Sequence, residues 1–267
     1  MDNEQKYLFD VLGYIVVPDV LDSIQLERLR STIQGPTEQF PPVSQERSPL
    51  HWDSIWRDLL DLPIITQLLE RLVGNPNLYE ARSRKYPNPL PTFRLDHINV
   101  HTHVAKGFEG GKLHGGWNGV SGFYRYDNGV LYNGLTTVGF ELYDTHPNDG
   151  GFACIPGSHK ANVEIPDSWV DLSHGVNGQV KRVAARPGDA IIFTEALTHG
   201  TLPWQAEQRR STIFYKFSPH TLSWSADFFD PDDFSHYQDM NERKLAMHEK
   251  PNARYQCITY AAYAHPT

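Results

Sequence analysis

From about residue 93 to residue 218 the chain breaks into short β-prone runs separated by Gly, Asn, Asp and Pro, and no other feature constrains its fold as strongly. The runs are FRLDHINVHTHVA, GVLYN, TTVGFELYD, GFACIPG, QVKRVAA, DAIIFTE and STIFYKFSP, and the breaks include FEGGK, YDNG, HPNDGG and RPGD. Short strands with turn residues between them pair antiparallel, and each must bury one face. Two sheets folded face to face satisfy all of them at once, so a mainly β jelly roll is expected.

The stretch before it has a helical texture. YLFDVLGYIVVPDVL reads as a short helix followed by a buried strand, GYIVV, that Pro18 ends. Asp22 or Ser23 can cap the next helix, IQLERLRSTI, and a Pro-rich loop follows. DSIWRDLLDLPIITQLLERLVGNP then gives two helical pieces, joined at Pro63 and stopped at Gly74. With no repeat and no linker, the 267 residues are expected to form one domain, with a helical part at 1–92, a jelly-roll core at about 93–218 and an extension at 219–267. The extension mixes acidic turns with one helical stretch and has no evident place in the fold.

Bulk properties exclude several roles. A formal charge of −8 gives no broad electrostatic grip on a nucleic-acid polymer or an anionic membrane. No run reaches the about 18 apolar residues that a membrane span needs. Two cysteines, Cys154 and Cys257, give neither a disulfide framework nor a thiolate metal site. The polar start MDNEQKYLFD lacks the form of a signal peptide, so a cytoplasmic setting is expected.

Thirteen histidines require sorting. His97, His101 and His103 share one face of a strand, as a polar wall facing substrate more than as a metal site. His51 and Asp53 form the only H-x-D in the chain, but Asp53 or Ser54 stands where a helix needs an N-cap, and the cap reading is preferred. His114, in KLHGGWNG, follows an early strand, whereas His199 follows RPGDAIIFTEALT and is expected at the end of a strand late in the sheet. Arg210 comes after His199 with the spacing H-x10-R. In a jelly roll these three can converge at the open mouth, where imidazoles suit Fe(II) and a guanidinium fork suits a carboxylate.

FDVLGYIVVPDVLD, HPNDGGFACIPGSHKAN, RPGDAIIF and the H-x10-R spacing together resemble the phytanoyl-CoA dioxygenase (PhyH) family of Fe(II)/2-oxoglutarate oxygenases. The resemblance covers most of residues 7 to 218, and GGFACIPGSHK is its most specific piece; within it His159 reads as structural. It implies a cupin-like double-stranded β-helix with flanking α-helices, and Fe(II), 2-oxoglutarate and O2 as cofactors. His114 and His199 would be metal ligands. Arg210 would hold the distal carboxylate of 2-oxoglutarate, with Arg209 as fallback, and Thr201 would add a hydroxyl.

One position departs from the family pattern. Hydroxylating members carry H-x-D/E, whereas this chain has Gly116 in place of the carboxylate. Non-haem iron halogenases are similar in having H-x-G or H-x-A there, which leaves room for chloride or bromide. The preferred expectation is therefore chlorination of an unactivated aliphatic carbon of a small molecule, with Gly116, Trp117 and Asn118 around the halide. Two alternatives stay open: a hydroxylase whose carboxylate comes from elsewhere, such as Glu141 or Asp144, or a non-catalytic relative. WNGVSGFYRYDNGVLYNG reads as a loop over the pocket, so Phe123 and Arg125 join His101 and His103 as candidate substrate contacts. Such aromatic and cationic residues make a nucleotide one candidate substrate.

Overall fold

The computed structural model describes residues 1–33, 48–74, 89–103, 106–107, 112–115 and 122–253. Its centre is a five-stranded antiparallel sheet in the order β1-β8-β5-β10-β2. These strands are β1 (Tyr14–Val17), β2 (Phe93–His103), β5 (Thr136–Glu141), β8 (Ala190–Thr194) and β10 (Arg210–Pro219). A smaller sheet faces it, with β6 (Gly151–Cys154) between β7 (Lys181–Arg182) and β9 (His199–Leu202). A hairpin of β3 (Tyr124–Asp127) and β4 (Val130–Asn133) stands apart from both.

Strand periodicity decides what each face does. On β10, Ile213, Tyr215 and Phe217 join the large core with Ile15, Leu95, Val100 and Val138. That core is covered by α2 (Ser23–Thr32), α3 (Ser54–Asp58) and α4 (Pro63–Leu72) through Leu29, Trp56 and Leu69. Tyr215 Oη donates to Trp56 O at 2.6 Å, fixing helix to sheet. The alternate residue Phe214 turns inward to Phe152 and Phe193, between the two sheets. The jelly roll is thus a lined interior backed by a layer of helices.

Caps follow the local sequence. α1 (Asn3–Leu12) and α2 each begin with a reciprocal capping box, Asp2 with Gln5 and Asp22 with Gln25. Asp53 caps α3 by accepting from Ile55 N, while His51 stacks on Phe234 and bonds Tyr237 Oη. The H-x-D pair is therefore structural.

Two expectations need correction. The stretch read as a loop over the pocket holds the β3–β4 hairpin, which leans on the helical side: Tyr124 Oη donates to Asp10, and Asn133 Nδ2 donates to Leu72 O. His199 does not end β8 but opens a strand of its own in the opposite sheet, pairing with Cys154. The turn from Glu195 to Thr198 carries the chain across, and sequence texture does not distinguish such a crossing from a continuous strand.

The extension closes over the outer layer. Arg57 pairs with Asp239 at 2.8 Å and Lys244 with Asp58 at 3.1 Å, and Phe229, Phe234, Met240 and Met247 enter the large core. Buried Asp96 on β2 accepts from Trp224 N at 2.9 Å, Ser225 N at 3.1 Å, His97 Nδ1 at 2.8 Å and Arg94 Nη1 at 3.2 Å. Among the described residues no helix is long and apolar enough to cross a membrane.

Candidate active site

His114 and His199 meet across the mouth of the jelly roll. Their backbones form an isolated antiparallel bridge, each N donating to the other's O at 2.8 Å. Their rings lie 4.5 Å apart, centroid to centroid. Gly115 explains half of the glycine pair. It has φ +96°, and a Cβ there would collide with Leu197 O and come within 3.3 Å of His199 Nδ1. The bare α-carbon is what lets the His114 segment lie against the turn that carries His199.

Leu197 O accepts from His199 Nδ1 at 2.7 Å. A carbonyl cannot donate, so the ring proton is on Nδ1 and Nε2 holds its lone pair toward the cavity, the arrangement usual for a metal-ligating histidine. Burial pushes the His199 pKa down to about 4, with Glu195 opposing the shift and His114 adding to it. The imidazole is therefore neutral and available as a ligand at neutral pH.

A small cavity of about 60 Å³ lies inside the pair, lined by Asn99, His101, His199, Thr201 and Lys216 among others. His101 is held neutral by burial and then by Arg210, Lys216 and His114, with a pKa of about 4. Glu195 is enclosed beside it. Its Oε1 accepts from Lys216 Nζ at 2.9 Å and from Thr137 Oγ1, and its Oε2 lies 3.6 Å from His199 Nε2. Burial opposes its charge, but Lys216 and the Thr137 hydroxyl hold the carboxyl well below the usual range. A second, wider cavity of about 560 Å³ opens on the other side of His114, with Lys112, Ser158, Glu164, Asp167 and Thr198 on its walls.

Arg210 points inward from β10 and is fully buried. Its Nη2 donates to Glu141 at 2.6 Å, while Nε and Nη1 have no hydrogen-bond partner. Gly151 opposes it: a Cβ there would sit 3.1 Å from Nε. Two buried, unfilled N–H groups beside a missing side chain suit an incoming carboxylate. Arg209 faces the other way, donating to Ile33 O at 2.9 Å.

The remaining candidates divide. Thr201 lies on β9 at the small cavity, and His101 lines it too. His103 sits deeper, 6.1 Å from the Trp204 ring. Phe123 and Arg125 line neither cavity; the Arg125 guanidinium lies over Tyr132 within its own hairpin. Glu141 is engaged by Arg210 and Thr212, and Asp144 is exposed, so neither offers a carboxylate to the histidines. His159 bonds Asp10 O and is structural. Gly116, Trp117 and Asn118 lie outside the described residues. Sequence reasoning missed Glu195 and Lys216; the available signal was a lone acidic residue four positions before His199 in an otherwise apolar turn.

A jelly roll with paired histidines at its mouth and a buried arginine behind them defines the architecture of a non-haem iron oxygenase. The chain belongs to the phytanoyl-CoA dioxygenase (PhyH) family, whose profile matches residues 9–212. No curated protein sequence matches it. Among solved structures it is similar to HygX from Streptomyces hygroscopicus with nickel and 2-oxoglutarate bound, at 23% identity and a TM-score of 0.67, covering 84% of this chain and 88% of that one. It is also similar to AviO1 from Streptomyces viridochromogenes Tue57, at 18% identity and a TM-score of 0.54, covering 80% and 93%. The non-heme alpha ketoglutarate dependent epimerase SnoN from nogalamycin biosynthesis matches at 18% identity and 0.54, covering 82% and 84%. At these identities the likeness is one of fold.

Proposed function

We propose that the chain is an Fe(II)/2-oxoglutarate-dependent oxygenase that hydroxylates an aliphatic carbon of a small polar molecule. The observation that carries this reading is the bridged His114–His199 pair with its Nε2 lone pair turned inward. Bound iron would supply O2 activation, with one oxygen atom passing to succinate as 2-oxoglutarate loses carbon dioxide and the other passing to the substrate carbon. In this reading His114 and His199 hold the ion, and the Arg210 guanidinium takes the distal carboxylate of 2-oxoglutarate. Thr201 adds a hydroxyl from the next strand, and Phe152, Phe193 and Phe214 keep water from the inner wall.

The wider cavity beside His114 supports the choice of substrate class. Glu164 and Asp167 on its rim match hydroxyl or amino groups better than a phosphate, which weakens the case for a nucleotide. A structure of HygX contains hygromycin B together with nickel and 2-oxoglutarate, which supports a small polar molecule as the ligand here.

Halogenation is the second reading, and Gly116 favours it, since no carboxylate follows His114 at the position where hydroxylating members have one. Glu195 favours hydroxylation, because an anionic oxygen already faces His199. Anaerobic Fe(II) with 2-oxoglutarate should produce a weak visible charge-transfer band that disappears in His199→Ala. If the wild-type protein gives no such band, the oxygenase reading is lost. Added chloride should leave the band unmoved, and the product should gain one oxygen atom. A shifted band and a halogen isotope pattern would establish halogenation instead, and Gly116→Asp should then abolish it.

A further inference from the structure

We infer that Thr145 is a second anchor for the distal carboxylate of 2-oxoglutarate, donating its hydroxyl beside the Arg210 guanidinium. The inference rests on the oxygenase reading above and deepens it. Thr145 follows β5 and is 2% exposed. Its backbone is engaged on both sides, in a bridge with Ala185 whose two hydrogen bonds measure 2.9 and 3.0 Å. Its Oγ1, by contrast, is buried and meets no hydrogen-bond partner among the described residues. A hydroxyl in that state costs free energy that a valine of the same shape would avoid, so packing alone does not account for it.

The orphan hydroxyl and the orphan N–H groups of Arg210 border one point. A Cβ on Gly151 would lie 2.9 Å from Thr145 Cγ2 and 3.1 Å from Arg210 Nε. Gly151 pairs with Leu202, and the next pair along is Phe152 with Thr201, both of which line the small cavity inside the histidines. The point bordered by Thr145 and Arg210 is thus one residue beyond that cavity. A guanidinium and a rotating hydroxyl are both donors, and an acceptor-only carboxylate fits a pair of donors. Glu141 already takes Nη2 of Arg210 at 2.6 Å, so part of that cation is matched before any ligand arrives. A neutral hydroxyl adds a bond to the incoming anion without burying a further charge.

The test is calorimetric binding of 2-oxoglutarate to the Ni(II)-loaded protein, with no turnover required. The second probe is 2-oxopentanoate, which has a methyl group in place of the distal carboxylate. Thr145→Val keeps the shape of the side chain and removes the hydroxyl. It should weaken 2-oxoglutarate binding about tenfold, as the loss of one hydrogen bond to a charged group implies. Binding of 2-oxopentanoate should be unchanged, and the Tm should be no lower than in wild type. Thr145→Ser returns the hydroxyl and should return the affinity. If Thr145→Val binds 2-oxoglutarate as wild type does, the inference is overturned and Arg210 remains the anchor. A loss of equal size for both probes marks a structural role and overturns it too. If wild type binds the two probes equally, neither Arg210 nor Thr145 holds a distal carboxylate; if it binds neither, the oxygenase reading falls as well. A crystal structure of wild type with Ni(II) and 2-oxoglutarate avoids any question of folding. Thr145 Oγ1 within hydrogen-bond distance of the distal carboxylate supports the inference, and Oγ1 bonded only to water overturns it.

Discussion

At the scale of single residues, Gly115 is the hinge of the site. Its left-handed backbone and missing Cβ let the His114 segment touch the same Leu197 carbonyl that orients His199. Gly115→Ala should therefore cost about 1–3 kcal/mol of stability through backbone strain alone. It should also weaken divalent-metal binding, although it removes no ligand. Urea denaturation and Co(II) titration of the same variant check both effects, and normal metal affinity in a destabilised protein would refute the shared-carbonyl account. KLHGGWNG was legible as a candidate ligand followed by two glycines, and the H-x10-R spacing pointed to Arg210, which is buried on β10. Why the first glycine is needed was not legible, because its reason lies in a turn more than 80 residues away. Glu195 stayed hidden for a similar reason: a carboxylate's role depends on what it faces, and a strand that crosses between sheets leaves no periodic trace.

At the scale of elements, strand existence followed from β-prone runs and turn residues, and two helix starts followed from Asp22 and Asp53. GVLYN was legible as the strand that is β4, but its partner β3 was hidden in a stretch whose aromatic and glycine content fits a pocket loop as well; tertiary contact with α1 and α4 decides between them. The extension had no legible place because its anchors are ion pairs and buried contacts with distant elements, a carboxylate on β2 among them. Asp96 on β2 gathers an arginine, a histidine and two backbone N–H groups from residues 224 and 225. Burial opposes its charge, while the His97 and Trp224 hydrogen bonds with Arg94 hold its pKa below the usual range. Asp96→Ala leaves buried Arg94 without its carboxylate partner and should cost about 3–5 kcal/mol. Limited proteolysis should then cut within 220–253, and cleavage no faster than in wild type would show that the apolar contacts of the extension suffice.

At the scale of the whole molecule, the buried histidines set the response to acid. Burial lowers His101, His159, His199 and His248 to about 4 and His103 to about 3. An unfolded histidine titrates near 6.5, so between about pH 6.5 and 4 the unfolded chain binds more protons than the folded one. Stability is then fully present above pH 6.5 and is lost as the pH falls toward 4. Calorimetry of the metal-free protein from pH 7.5 to 5 should show a steadily falling Tm; a flat profile would mean that these rings are hydrated. The strand order carries a further consequence, for synthesis. β1, residues 14–17, pairs with β8, residues 190–194, and the helices of the first 72 residues are covered by residues 229–247. At about 5–20 residues per second the ribosome takes roughly 10 to 35 seconds to join these parts. Until then the apolar faces of α2 and α4 have no sheet to cover them. Chains stalled before residue 190 should remain protease-sensitive and engage chaperones, while chains extended past 253 and clear of the exit tunnel should resist. During synthesis, residues 1–72 thus depend on residues 229–247 for protection.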